Sequence, residues 1–163
     1  MTKTLFVVVA VLGLTSVVVF GQAKPSIQGV WRVQERVITG ENPSSTTTPQ
    51  PGIYIYTARH YSVVQIPGTS PRPQVPPVKV AGKPTDAERI AIYPQWLQFN
   101  ASSGTYEIKG TTLTTKPMVA KNESVMVGPG MTYTFKLDGN TLWLTQKSQD
   151  GKTTTQTRLT RLE

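Results

Sequence analysis

The chain has 163 residues, with 17 Lys and Arg against nine Asp and Glu, a formal net charge of +8, one histidine and no cysteine. The absence of cysteine excludes thiol nucleophiles, thiolate metal sites, disulfide staples and thioether-linked lipid, so the fold has to stand on packing alone. The positive charge raises nucleic acid or an anionic surface as a partner. The basic residues are scattered over turns and outward strand positions, however, with no run that would track phosphates, and nucleic acid is not an expected partner.

At the N-terminus Lys3 precedes an apolar run from Leu5 to Phe20 and the small residues Gly21-Gln22-Ala23. That is the order of charge, apolar stretch and cleavage site in a secretory signal peptide. Cleavage after Ala23 is predicted, which would place the rest outside the cytoplasm, secreted or periplasmic, with no integral membrane span. The alternative is an uncleaved anchor, although the run falls short of the roughly 20 residues that span hydrocarbon. Residues 24–163 then form one domain of ordinary size, expected to be monomeric.

Short alternating runs rich in Val, Ile, Thr and Tyr follow, separated by turn chemistry, which is the pattern of an antiparallel all-β sheet. Strands are predicted at about Gln28 to Thr39, Gly52 to Ala58, His60 to Ile66, Gly104 to Lys109, Thr111 to Val119, Met131 to Asp138, Thr141 to Lys147 and Thr153 to Arg161. Lys109-Gly110, Asp138-Gly139-Asn140 and Asp150-Gly151 supply the positive φ that tight hairpins need. Sequential hairpins imply an up-and-down meander, and eight strands close around either side chains or one small ligand.

Two proline-rich loops interrupt the meander, Gly40 to Pro51 and Pro67 to Pro84, and are expected as stiff connections around a barrel mouth. The match of Pro73-x-x-Pro76 to partner-docking motifs is weak, because an exported protein does not meet the cytosolic domains that read them. Thr85-Asp86-Ala87-Glu88 forms a capping box, so a helix should start there, between strands 3 and 4. Pro94 should kink or break it near Tyr93. Lying across an open end of the barrel, such a helix would serve as a lid.

The two-residue period of strands assigns faces. Trp31, Val33, Glu35 and Val37 share one face of the first strand, Met131, Tyr133, Phe135 and Leu137 one face of the sixth, Leu142, Leu144 and Gln146 one face of the seventh, and Thr155, Thr157, Leu159 and Arg161 one face of the eighth. The candidate ligand-binding interior is therefore Val33, Glu35, Val37, Tyr133, Phe135, Leu144, Gln146 and Thr157, an apolar wall with a few polar handles. Trp31 and Arg161 form the candidate floor, with Arg161 rather than Arg158 lying over the indole, where the ring quadrupole attracts it.

From Ile27 onward the chain resembles the lipocalin-like domain family of bacterial and fungal proteins. The matching stretches are Gly29-Val30-Trp31, Pro51-Gly52-Ile53-Tyr54-Ile55-Tyr56-Thr57, Thr85-Asp86-Ala87-Glu88, Phe99-Asn100-Ala101-Ser102-Ser103-Gly104-Thr105-Tyr106 and Lys136-Leu137-Asp138-Gly139-Asn140-Thr141-Leu142. The resemblance implies an eight-stranded barrel that holds a small hydrophobic or amphipathic ligand without a cofactor. It also keeps isomerase or cyclase chemistry open, since some folds of this kind act by shaping a bound substrate. One departure is Ser102, where such domains carry an aromatic residue, and looser lid packing is expected from it.

Catalytic groups are scarce. His60 falls in a turn, where a solvated imidazole is the plain reading, and no metal site or catalytic set is predicted. Of the acids, only Glu35 is assigned to the interior, either paired with Arg161 or another arginine or in contact with a ligand. Asn100-Ala101-Ser102 and Asn122-Glu123-Ser124 match the glycosylation pattern, which has meaning only in a eukaryotic secretory pathway. A barrel filled by its own large residues, serving the cell envelope as an interaction domain, is the competing reading.

Overall fold

The computed structural model describes residues 26–163 except 73 and 76, so the predicted leader and the two prolines of the Pro73-x-x-Pro76 motif lie outside the described residues. The strands are β1 (Gly29–Gly40), β2 (Ser44–Thr46), β3 (Gly52–Tyr56), β4 (His60–Gln65), β5 (Asn100–Lys109), β6 (Thr112–Ala120), β7 (Met131–Asp138), β8 (Thr141–Lys147) and β9 (Thr153–Arg161), with a helix α1 (Asp86–Leu97). The strands lie in the order β2-β1-β3-β4-β5-β6-β7-β8-β9 with neighbours antiparallel, and β9 returns to β1 from Arg161 opposite Trp31 to Thr153 opposite Gly40. Eight strands thus form a closed antiparallel barrel, which removes the exposed edges an open sheet would carry.

The ninth strand, β2, was not foreseen. β3 pairs only with Gly29 to Arg32 of β1, and β2 covers the continuation of that edge at Arg36, Val37 and Ile38. Three residues of Ser-Ser-Thr have no apolar alternation to announce a strand. Because of β2, α1 follows the fourth strand rather than lying between the third and fourth.

A second correction has larger consequences. The β1–β9 register shifts between Val33 and Glu35, so Gln34 is an extra residue on β1. A bulge of this kind exchanges the faces of everything beyond it. Trp31 and Val33 point inward as expected, but Glu35 then stands opposite the exposed Arg158, and Arg36 stands opposite the buried Thr157. Glu35 and Val37 therefore belong to the outer face, and Arg36 and Ile38 to the inner one.

One end of the barrel is solid. Trp31, Leu113, Leu142 and Leu159 are fully buried there, with Ile27 beneath them. The Trp31 indole donates through Nε1 to the Ile27 carbonyl at 2.8 Å, and the Arg161 guanidinium lies over the ring at 4.1 Å from its centroid. Arg161 also donates to the carbonyls of Ser26 and Gln28, tying the segment before β1 to the last strand. A further register shift at Ser103 and Gly104 brings β6 so close that a Cβ on Gly104 would sit 2.1 Å from the Lys116 carbonyl oxygen. Only glycine fits there.

The helix also differs from expectation. The capping box is present, with the Glu88 amide donating to Thr85 Oγ1 and the Thr85 amide to the Glu88 carboxylate. The helix continues through Pro94 to Leu97 instead of breaking near Tyr93. None of its residues is buried, so it does not seal the barrel as a lid. Its C-terminal end is held from outside: Lys121, just past β6, donates to the carbonyls of Trp96, Leu97 and Phe99, the group a helix C-terminus favours. No described helix is long and apolar enough to cross a membrane.

The floor predicts a graded response in thermal or denaturant unfolding. Trp31→Ala should cost about 3 to 5 kcal/mol as a buried aromatic truncation, and Arg161→Ala about 1 to 2 kcal/mol. Glu35→Gln and Arg158→Ala break only a partly exposed pair of 3.0 Å, which should cost about 0 to 1 kcal/mol. Equal losses at Arg158 and Arg161 would contradict this division of labour.

Candidate functional site

The other half of the barrel is not filled. It encloses a cavity of about 180 Å³ lined by Tyr54, Tyr56, Tyr61 and Tyr133, with Val63, Gln65, Asn100, Ser102, Thr115 and Met131 among the other wall residues. The cavity lies towards the end where β4 and β6 finish and β5 and β7 begin, next to Asn122 and Val125 of a 3₁₀ turn at Glu123–Val125. Space exists there because Ala101, Ser102 and Ala120 are small. Ser102, expected from sequence to loosen the lid packing, lines this space instead.

The wall is amphipathic. Tyr61 donates to Ser102 Oγ at 3.3 Å, and Tyr54 donates to Gln65 Oε1 at 3.2 Å. Gln65 Oε1 also accepts from Arg36 Nη2 at 2.6 Å, so both its lone pairs are engaged and its amide hydrogens remain as donors. Tyr56 stacks edge-on against Tyr106 with centroids 5.4 Å apart. Burial pushes the phenols of Tyr54, Tyr56 and Tyr133 above their ordinary range, with Arg36 opposing the rise at Tyr54 and Tyr133. They stay neutral near pH 7 and act as hydrogen-bond donors.

Of the eight interior residues expected from sequence, Tyr133 lines the cavity. Val33, Leu144 and Thr157 are buried in the barrel wall, Phe135 packs against that core, and Gln146 is half-buried. Glu35 and Val37 lie on the outer face, as above. The tyrosines of β3 and β4 and the interior Arg36 were missed. Tyr54 and Tyr56 alternate as aromatics in Gly52-Ile53-Tyr54-Ile55-Tyr56, a sequence signal that marks both the strand and its inward face.

Chemically the cavity offers neutral donors and aromatic faces, with no carboxylate in its lining, and the nearest described cation, Arg36, lies behind Gln65 in an adjoining recess. Among the described residues no three His, Cys, Asp or Glu side chains gather as a metal site requires. His60 is exposed at the start of β4, at the solid end.

No protein-family model matches this chain, and no curated protein matches it. A crystal structure of an uncharacterized protein from Bacteroides eggerthii DSM 20697 is 10% identical with a TM-score of 0.43, over 82% of this chain and 98% of that one.

The buried phenols predict a direction for alkaline stability. Above about pH 10 an unfolded chain releases phenolic protons, while Tyr54, Tyr56 and Tyr133 hold theirs in the barrel. Stability is therefore full below that pH and declines as pH rises beyond it. In a titration followed by phenolate absorbance and circular dichroism together, these three should ionise only as the barrel unfolds. Complete ionisation of every tyrosine in a still-folded protein would contradict their burial.

Proposed function

We propose that the chain is an exported lipocalin-like barrel that binds or carries a small hydrophobic or amphipathic molecule in its tyrosine-lined half. The observation that carries this reading is the cavity of about 180 Å³ inside an otherwise closely packed barrel. An apolar cavity of about 150 Å³ accommodates benzene, so this somewhat larger space suits a compact molecule of one or two rings and excludes a long acyl chain. Export rests on the leader-like sequence before Ala23, and the lipocalin-like assignment on the motifs together with the closed eight-stranded barrel. The competing reading, a barrel filled for structural or envelope-interaction purposes, draws on the solid floor of Trp31, Leu113, Leu142 and Leu159. It gives no role to the small residues Ala101, Ser102 and Ala120 around the space.

The test is titration of the purified protein with an environment-sensitive naphthalene fluorophore. A saturable enhancement is expected, lost in Ser102→Phe, whose ring would occupy the cavity, while the melting temperature is maintained. No saturable enhancement with the unaltered protein, and no stabilisation by a library of small lipids and aromatics, would favour the filled structural barrel.

A further inference from the structure

The bulge at Gln34 carries a cation into the barrel without carrying an anion with it. Arg36 is half-buried, donates to Gln65 Oε1 at 2.6 Å, and stands close enough to Tyr54 and Tyr133 to act on both phenols. Among the described residues no carboxylate pairs with it: the acid next to it in sequence, Glu35, is turned to the outer face and bound to Arg158 at 3.0 Å. Gln65 is the partition between two spaces. On one side is the tyrosine cavity, and on the other a small recess of about 10 Å³ formed by Val33, Arg36, Gln50, Gln65 and Pro67 among others.

Resting on the ligand-binding reading above, we propose that the barrel selects a compact single-ring carboxylate, with the ring among Tyr54, Tyr56, Tyr61 and Tyr133 and the carboxylate exchanged for Gln65 Oε1 on Arg36. The neutral amide oxygen now occupies the acceptor position at the guanidinium. A carboxylate oxygen there makes a stronger, charge-assisted bond and returns a counter-ion to a half-buried cation. The displaced Gln65 turns its amide hydrogens or its oxygen towards the polar rim at Asn100. The ring finds phenol faces and edges at a spacing set by the barrel, and the neutral hydroxyls of Tyr54 and Tyr56 donate to the second carboxylate oxygen or to a ring substituent. A cationic ligand meets Arg36 with like charge and no compensating acid, which is a built-in discrimination against amines.

Benzoate, benzamide and benzylammonium share one ring and differ in charge, and calorimetric titration of the unaltered protein with the three supplies the test. Benzoate should bind at least about tenfold tighter than benzamide, the difference one charge-assisted contact supplies, and benzylammonium should give no saturable heat. Arg36→Gln should reduce benzoate affinity by the same factor and leave benzamide within about threefold. Benzamide binding as tightly as benzoate would overturn the proposal whether or not the Arg36 variant folds, and so would benzoate affinity that survives Arg36→Gln in a folded protein. If the naphthalene fluorophore binds while all three rings fail, the carboxylate class is wrong and the binding barrel stands. If neither binds, both fall.

Discussion

The contact between Arg161 and Trp31 is where the barrel's first and last strands are locked together, and everything beyond it inherits that alignment. The guanidinium sits 4.1 Å from the indole centroid, while its nitrogens reach back to carbonyls ahead of β1. An arginine at this place combines two jobs that a lysine could not, lying as a flat plane over the indole while the edge of the same plane donates to the carbonyls. With the pair fixed at one end, β1 and β9 run together for almost their full length, and the pairing places Leu159 beside Val33. From that point the position of a single extra residue decides what the remaining half of the interior contains.

That residue is Gln34. Without it, continued alternation from Trp31 would bring Glu35 and Val37 inside, giving a barrel with a buried acid and an arginine outside. With it, Glu35 pairs with Arg158 in partial solvent exposure, where a carboxylate costs little, and Arg36 faces the tyrosines instead. The change in sign of the interior charge follows from backbone geometry and not from composition. Among the described residues, no carboxylate lines the tyrosine cavity as a result.

The parts of the fold legible in the sequence are those with strong local signals. β7 and β8 alternate cleanly through Met131, Tyr133, Phe135 and Leu137 and through Leu142 and Leu144, and the structure shows the same alternation of burial. The Thr85 to Glu88 capping box likewise starts a helix where expected. The bulge was illegible because Val37 and Ile38 are adjacent β-branched residues: either face offers one apolar side chain, so periodicity past Val33 does not choose between registers. β2 was hidden by its brevity. Of the kink or break expected at Pro94 the break does not occur, because the lost amide and crowded ring are penalties that an exposed helix end, supported by Lys121 on its carbonyls, can absorb.

The division of the interior into a solid floor and a hollow mouth follows from where large and small residues fall along the strands. Leu113 and Thr115 of β6 are both buried, yet the chain beyond Pro117 offers only Ala120 inward, opposite Ser102 of β5. Two small residues facing each other across one strand pair leave a gap that no neighbouring side chain reaches, since the phenols nearby are held by their own contacts to Gln65, Ser102 and Met131. An empty space of this size forfeits dispersion contacts along its whole lining. The stability lost at the mouth is offset at the other end by the buried indole and three fully buried leucines, and α1, which buries none of its residues, is tied to the mouth side through Lys121 on its C-terminal carbonyls. Rigidity is thus concentrated at the closure of β1 on β9, and the half of the barrel with room inside is the half least constrained by packing.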